Sequence, residues 1–160
     1  MQTILHVFSA EETERVGNEL AKILEENHVS RAFIAMRGEM GVGKTAFTRG
    51  FASHFGIASV KSPTYTVLNE YRGRTHIHHF DFYRIEDEDD LYSIGYFDII
   101  ESDGYSIGEW SENIEESLPD GFITVSIARV PDGSADERRI TIELPDDTIK
   151  AEVFNDHPCI

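Results

Sequence analysis

The chain has 160 residues, with 14 Lys and Arg residues against 30 Asp and Glu residues and a formal net charge of −16. This length is typical of one domain that buries about two thirds of the surface of its unfolded chain. The negative charge opposes sequence-independent attraction to a nucleic-acid backbone, so a nucleic-acid substrate requires a partner that holds it.

The cysteine content and the hydropathy of the chain indicate its cellular compartment. The single cysteine, Cys159, cannot form an internal disulfide. The N-terminus lacks the basic and apolar regions of a signal peptide. No apolar run approaches the length of a membrane span. We therefore expect a cytoplasmic protein without membrane contact.

The first third of the chain predicts strand, helix, strand and helix in that order. Residues 4–8 are expected to form a strand, and Ser9 with Glu12 resembles a capping box that opens a helix running to about Glu26. Residues 31–37 contain a short apolar run typical of a buried strand. Residues 45–55 carry Phe at helical spacing.

The remaining sequence predicts a hairpin, short helices and three more strands. Gly73 separates two β-rich runs, residues 64–71 and 75–82, which indicates an antiparallel pair and therefore a mixed sheet. One or two short helices are expected up to residue 100, after an acidic run at 86–90 that is read as a solvated helix start. Further strands are predicted at 105–110, 122–130 and 139–144. With the pattern G-x-x-x-x-G-K-[ST] at residues 38–45, these elements predict a single α/β domain, residues 1–160, of the P-loop NTPase type, with a mixed central sheet flanked by helices.

Residues 38–45 match the phosphate-binding pattern G-x-x-x-x-G-K-[ST] at every fixed position. A predicted strand precedes this pattern and a predicted helix follows it. A glycine-rich turn that matches by chance is therefore the weaker alternative. Such a loop aims several N–H groups at an anion, and the helix adds the positive end of its dipole. Lys44 is expected to bridge the β- and γ-phosphates and the Thr45 hydroxyl to ligate Mg²⁺. The predicted nucleotide contacts in the loop are Gly38, Glu39, Met40, Gly41, Val42, Gly43, Lys44 and Thr45.

Two acidic residues stand at the ends of predicted strands. Asp81 follows residues 77–80, and Glu109 follows residues 105–108. Ligands of open α/β sheets bind beyond the carboxyl ends of the strands, so both carboxylates are expected on the magnesium side of the loop. There they would complete the metal shell and position water. The alternative for each is a surface acid or a capping residue.

A switch segment is predicted about twenty residues beyond Lys44. Thr64 and Thr66 lie where nucleotide switches often place a threonine that senses the γ-phosphate and the metal. The alternative is a strand start that is rich in Thr for its β propensity.

The sequence gives weaker evidence of a functional role for the aromatic residue and the histidines near these motifs. Trp110 follows Glu109 and is more often a core or interface residue, although its position could let it cover the site. A structural role is favoured for His76, His78 and His79 over metal binding, because no Cys or further His pattern supports zinc.

Four blocks in register resemble the bacterial TsaE (YjeE) family over roughly residues 9 to 145. They are the P-loop, residues 62–66, residues 79–84 and residues 108–110. The resemblance implies a small cytosolic ATPase that is needed, with TsaD and TsaB partners, to form threonylcarbamoyladenosine at position 37 of tRNAs that decode ANN codons. The transfer chemistry would belong to TsaD, and tRNA would be reached indirectly. The tail after Pro145 falls outside the resemblance.

The resemblance also implies roles for individual residues. Thr45 and Glu109 would lie at Mg²⁺, Asp81 near the metal and the attacking water, and Lys44 at the phosphates of ATP. Thr64 and Thr66 would form the switch-like segment. The family's other nucleotide contacts correspond to Ala10, Thr13 and Glu112, and either Arg138 or Arg139 would approach the nucleotide.

Two further functions remain as alternatives to a magnesium-dependent ATPase. The first is a nucleotide-dependent assembly or regulatory module in which hydrolysis is incidental. The second is a kinase, although no acceptor motif is present. The absence of an Asn-Lys-x-Asp motif disfavours a GTPase. The absence of an evident arginine finger predicts slow turnover by the chain alone.

Overall fold

The computed structural model describes residues 1–61 and 67–145 and contains a seven-stranded sheet with helices on both faces. The strands are β1 (Gln2–Val7), β2 (Arg31–Arg37), β3 (Leu68–Arg72), β4 (His76–Asp81), β5 (Gly104–Glu109), β6 (Ile123–Arg129) and β7 (Arg138–Glu143). The helices are α1 (Ala10–Glu26), α2 (Lys44–His54), α3 (Glu88–Ser93) and α4 (Tyr96–Glu101), and a 3₁₀-helix spans Ser111–Ser117.

The strand order is β1-β7-β6-β2-β5-β4-β3. The four central strands β6, β2, β5 and β4 are parallel to one another. Strand β3 pairs antiparallel with β4 at one edge, and β7 and β1 add antiparallel pairs at the other. The predicted hairpin and mixed sheet are confirmed. Because the central strands are parallel, their carboxyl ends lie at the same edge of the sheet.

Strand β2 is buried on both of its faces, as expected of a central parallel strand. Ile34 and Met36 belong to the core shared with α1 and α2. Phe33 and Ala35 belong to the core on the opposite face, which includes α3, α4 and the 3₁₀-helix. The apolar run that predicted this strand therefore fills two cores, and it holds the strand that leads into the P-loop firmly in place.

Helix α1 begins and ends where the sequence predicts. The Ser9 hydroxyl accepts a hydrogen bond from the Glu12 N–H at 3.1 Å, and the Glu12 carboxylate accepts one from the Phe8 N–H at 2.6 Å. These contacts satisfy two donors at the helix start. The helix then buries a stripe of apolar side chains and ends at Glu26.

Helices α1 and α2 pack with their backbones unusually close. A Cβ atom on Gly50 would lie 1.8 Å from the carbonyl oxygen of Glu14, and one on Gly17 would lie 2.1 Å from that of Phe47. Only glycine fits at either position. This close packing fixes the direction in which α2 leaves the P-loop.

Three parts of the chain differ from the expectations or fall outside the described residues. The strand predicted to include Trp110 ends one residue earlier, because Trp110 has a left-handed backbone (φ = 60°) that turns the chain. The 3₁₀-helix that follows was not predicted. Residues 62–66, with Thr64 and Thr66, and the tail from residue 146, with Cys159, lie outside the described residues. No helix in the described ranges is long and apolar enough to cross a membrane.

Candidate functional site

The P-loop runs from the end of β2 to the start of α2 at the carboxyl edge of the parallel strands. Gly43 precedes the helix with φ = 120°, a conformation that strongly favours glycine. It has no side chain to cap α2, and the first turn of α2 contains no acidic residue. The first N–H groups of a helix have no partner within the helix. The start of α2 is therefore suited to an anion, unlike α1, which has a serine cap and two acids in its first turn.

The side chain of Lys44 is buried and turns back into the site. Its ammonium group donates a hydrogen bond to the Gly38 carbonyl at 2.7 Å. It lies 3.9 Å from Oε1 of Glu109 and 5.4 Å from the centre of the Trp110 ring. One cation is thus held between a backbone oxygen, a carboxylate and an aromatic face.

Asp81 and Glu109 end adjacent strands and lie opposite each other. They are register partners in the parallel pair β4 and β5, and Glu109 is also the partner of Met36 on β2, just before the P-loop. The two carboxylates therefore emerge side by side next to the loop. The convergence predicted from the two strand ends is confirmed as a placement, while the roles of the carboxylates stay predictions.

The environment of Asp81 changes its acidity. Partial burial raises the pKa of the Asp81 carboxyl above its usual range, and the nearby Glu109 carboxylate raises it further. The backbone N–H of Tyr83, which donates to Oδ1 at 3.0 Å, acts in the opposite direction, as do His79 and Lys44. Burial is the largest of these effects.

A cavity of about 300 Å³ joins the loop to these carboxylates. This volume lies at the lower end of the usual range for small-molecule sites. Trp110 forms part of the wall, and its ring packs edge-on against Tyr83 with the ring centres 5.1 Å apart. The cavity is lined by Met40, Gly41, Gly43, Lys44, Thr45, Asp81, Glu109 and Trp110.

A second, smaller cavity of about 150 Å³ lies on the other side of the loop and shares Gly41 and Gly43 with the first. Ala10 and Thr13 from α1 line it, and their contacts with a nucleotide stay predictions. Arg138 also lines it and donates from Nε to the Val42 carbonyl at 2.9 Å. Arg139, the next residue of β7, is exposed. Alternate residues of a strand point to opposite faces, so Arg138 and not Arg139 lies beside this cavity, while its approach to a nucleotide stays a prediction.

Some of the predicted residues lie apart from both cavities. Glu112 is exposed in the 3₁₀-helix and lines neither cavity. The Glu39 carboxylate is exposed and pairs with Arg129 at 3.3 Å. Gly38 contributes its carbonyl oxygen as the acceptor for Lys44. The nucleotide contacts predicted for Glu39 and Glu112 stay predictions, as do those of the other residues of the P-loop.

Sequence reasoning missed one contact of the site. His79 is completely buried, and its Nε2 lies 2.8 Å from Oε2 of Glu109. The two residues are thirty positions apart on neighbouring strands. The available signal was the strand period, which places His79 on the same face as Asp81, two residues later.

The arrangement fits a magnesium nucleotide better than a metal ion bound by protein alone. In residues 1–61 and 67–145, no group of three or more His, Cys, Asp or Glu side chains could hold a metal ion. Mg²⁺ is commonly bound through one or two carboxylates together with phosphates of the substrate. The uncapped helix start would accept the phosphates, and Thr45 and Glu109 would supply oxygen ligands on the adjoining wall.

The fold and the site define a class, an α/β domain of the P-loop NTPase type with acidic strand ends beside its loop. The family model described as "Threonylcarbamoyl adenosine biosynthesis protein TsaE" matches residues 7–140. The chain belongs to the TsaE family, and the resemblance inferred from four motifs is confirmed.

Known proteins resemble the chain over most of its length. The tRNA threonylcarbamoyladenosine biosynthesis protein TsaE of Treponema pallidum is 34% identical over 135 residues, which cover 84% of this chain and 95% of that protein. The protein of the same name from Haemophilus influenzae is 39% identical over 117 residues, 71% and 73% of the respective chains. A crystal structure of YdiB from Bacillus subtilis matches with a TM-score of 0.71 and 29% identity, covering 92% of this chain and 89% of that one.

Proposed function

We propose that this chain binds ATP with Mg²⁺ and hydrolyses it slowly, as a subunit required with TsaD and TsaB partners for threonylcarbamoyladenosine modification of tRNA in the cytoplasm. The observation that carries the proposal is the single cavity that brings Lys44, Thr45, Asp81 and Glu109 together at the P-loop. Membership of the TsaE family supports the pathway, because its curated relatives are named for threonylcarbamoyladenosine biosynthesis in tRNA.

The residues that line the cavity would have different roles in binding and hydrolysis. Lys44 would exchange the Gly38 carbonyl for phosphate oxygens, and the N–H groups at the start of α2 would hold the same phosphates. Thr45 and Glu109 would hold the metal, while Asp81 would orient a water molecule for attack on the γ-phosphate. Bound Mg²⁺ would supply neutralisation of the charge that develops on the transferring phosphoryl group.

Turnover by the chain alone should be slow. Within residues 1–61 and 67–145, Lys44 is the one cation that lines the first cavity. An arginine finger contributes about 10³ or more to phosphoryl transfer in enzymes that have one. We therefore propose that a partner either supplies such a group or orders the site.

Two variants test the proposal by separating binding from hydrolysis. Lys44→Ala should weaken ATP binding by more than about tenfold, since it removes hydrogen bonds from a charged group. Glu109→Ala should retain binding in the absence of Mg²⁺ and lose hydrolysis. The measurements are calorimetric ATP affinity and phosphate release, with and without TsaD and TsaB, and Arg49→Ala on the exposed face of α2 serves as the control.

The outcomes distinguish the two main candidate functions. Hydrolysis that rises when the partners are added supports a partner-dependent ATPase. ATP binding without hydrolysis under any condition would instead favour the nucleotide-dependent assembly module. Unchanged ATP affinity in Lys44→Ala would contradict both.

A further inference from the structure

We propose that His79 is a positioning residue that fixes the Glu109 carboxylate for the metal, an inference that rests on the proposed function. Its imidazole Nε2 is 2.8 Å from Oε2 of Glu109, and its side chain is completely inaccessible to solvent. The proposal concerns the orientation of Glu109 and gives His79 no contact with the nucleotide.

The hydrogen-bond pattern defines the tautomer of His79. Its Nδ1 is also buried and, within the described part of the chain, has no hydrogen-bond partner. A buried N–H without an acceptor is costly, whereas a carboxylate offers only acceptors. The proton therefore lies on Nε2, where it is donated to Glu109, and Nδ1 carries the lone pair.

This contact assigns different roles to the two oxygens of Glu109. Oε2 receives the hydrogen bond from His79, while Oε1 points towards Lys44 at 3.9 Å, beyond hydrogen-bond distance. One oxygen is thus anchored to β4 and the other faces the cavity. Hydrogen bonds of this kind commonly orient the carboxylates that bind metals, and their loss typically costs 10- to 100-fold in metal affinity or activity.

The position of His79 in the sheet makes the contact rigid. His79 lies on the same face of β4 as Asp81, and Asp81 is the register partner of Glu109 on β5. The neighbouring His78 points to the other face and lies 3.9 Å from Glu70. His78 is therefore a matched control, a nearly buried histidine on the same strand without a role at the site.

The test measures how much Mg²⁺ tightens ATP binding, as the ratio of the Kd in EDTA to the Kd in excess Mg²⁺. His79→Leu fills a similar volume but cannot donate a hydrogen bond. The ratio should therefore fall by about tenfold or more, while the Kd in EDTA should change by less than about threefold. His79→Gln places an amide donor near the position of Nε2 and should restore most of the ratio. His78→Leu should behave like the wild type.

A double-variant cycle tests whether His79 acts through Glu109. In a Glu109→Gln background, adding His79→Leu should lower the ratio by at most about a further threefold, because the effects of substitutions at coupled residues do not add. An additional loss as large as that in the wild-type background would overturn the inference. So would an unchanged ratio in His79→Leu, or an equal loss of affinity in EDTA.

The wild-type protein provides a measurement that does not depend on whether a variant folds. Nitrogen-15 NMR of the histidine side chains should show the His79 proton on Nε2. A proton on Nδ1 alone would contradict the inference. If the wild-type Kd is the same in Mg²⁺ and in EDTA, the proposed function fails and the inference falls with it, whereas a normal wild-type ratio that His79→Leu retains overturns the inference alone.

Discussion

Three groups surround the ammonium group of Lys44 inside the cavity. Its hydrogen bond to the Gly38 carbonyl satisfies one donor, and Glu109 and Trp110 lie on its other sides. An ammonium group has three donors, so phosphate oxygens could replace the carbonyl without leaving the charge unpaired. These contacts keep the cation inside the cavity.

At the residue scale, Asp81 links the site to the stability of the fold. Burial raises the pKa of its carboxyl in the folded chain. A group with a raised pKa stabilises the fold fully below its unfolded pKa, and this contribution is lost as the pH rises through the folded pKa. Above that raised pKa the ionised Asp81 therefore lowers the free energy of unfolding.

We expect Asp81→Asn to melt at a higher temperature than the wild type at pH 7, by at most a few degrees because the carboxyl is only partly buried. The amide oxygen can still accept the Tyr83 N–H. The difference should shrink as the pH falls through the raised pKa of the folded wild-type carboxyl, and it should be lost below about pH 4, near the ordinary pKa of an Asp carboxyl. Thermal melting from pH 3 to 8, without nucleotide and with the exposed Asp120→Asn as control, checks this. A variant that is less stable at pH 7 would contradict it.

Residues that the sequence could identify are those defined by local patterns. Ser9, Lys44, Asp81 and Glu109 each stand at a recognisable boundary between an element and a loop. The contact between His79 and Glu109 depends on strand register. The different positions of Arg138 and Arg139 depend on which face of β7 lies next to the P-loop. A single sequence predicts strands more readily than their alignment, which is why these two features needed the structure.

At the element scale, the direction of α2 depends on its close contact with α1. The contact is possible because Gly50 and Gly17 have no side chains, and each faces a backbone carbonyl of the other helix. Movement of α2 would displace Lys44 and Thr45, which form its first turn. Packing far from the cavity therefore contributes to the geometry of the site.

Gly50→Ala should reduce the free energy of unfolding by about 1–3 kcal/mol, because the new methyl group meets a backbone oxygen that cannot move alone. Helix propensity alone would give a change of the opposite sign, because it favours Ala over Gly by about 1 kcal/mol. Denaturant unfolding measures the change, and Arg49→Ala, next to it on the same helix, removes only an exposed ion pair with Glu14. A stabilised Gly50→Ala protein would show that the helices are not in close contact.

The sequence predicted most elements, because amphipathic helices and buried strands have clear periods. It extended the fifth strand through Trp110 because an aromatic residue suits a strand. The left-handed backbone at Trp110 ends the strand and starts the 3₁₀-helix without a glycine to mark the turn. Such a conformation is uncommon for a residue other than glycine, so local preference could not reveal it.

At the scale of the whole molecule, the net charge of −16 limits what the chain can do alone. An acidic surface repels the phosphate backbone of tRNA. We therefore expect no measurable binding of tRNA by the isolated chain at physiological ionic strength, in a gel-shift or anisotropy assay. Tight binding without TsaD and TsaB would contradict the proposal that tRNA reaches this protein only through its partners.

The yield of threonylcarbamoyladenosine in a reconstituted reaction tests most directly whether nucleotide binding at the P-loop is what this chain contributes. Purified TsaD and TsaB, an ANN-decoding tRNA transcript, the threonylcarbamoyl donor, ATP and Mg²⁺ would be combined with the wild-type chain, Lys44→Ala or Arg49→Ala. We predict a full yield of threonylcarbamoyladenosine with the wild type and with Arg49→Ala. With Lys44→Ala, the yield should fall to the level measured without the chain. A full yield with Lys44→Ala, in a protein that melts normally, would contradict the claim that nucleotide binding at this loop is its contribution.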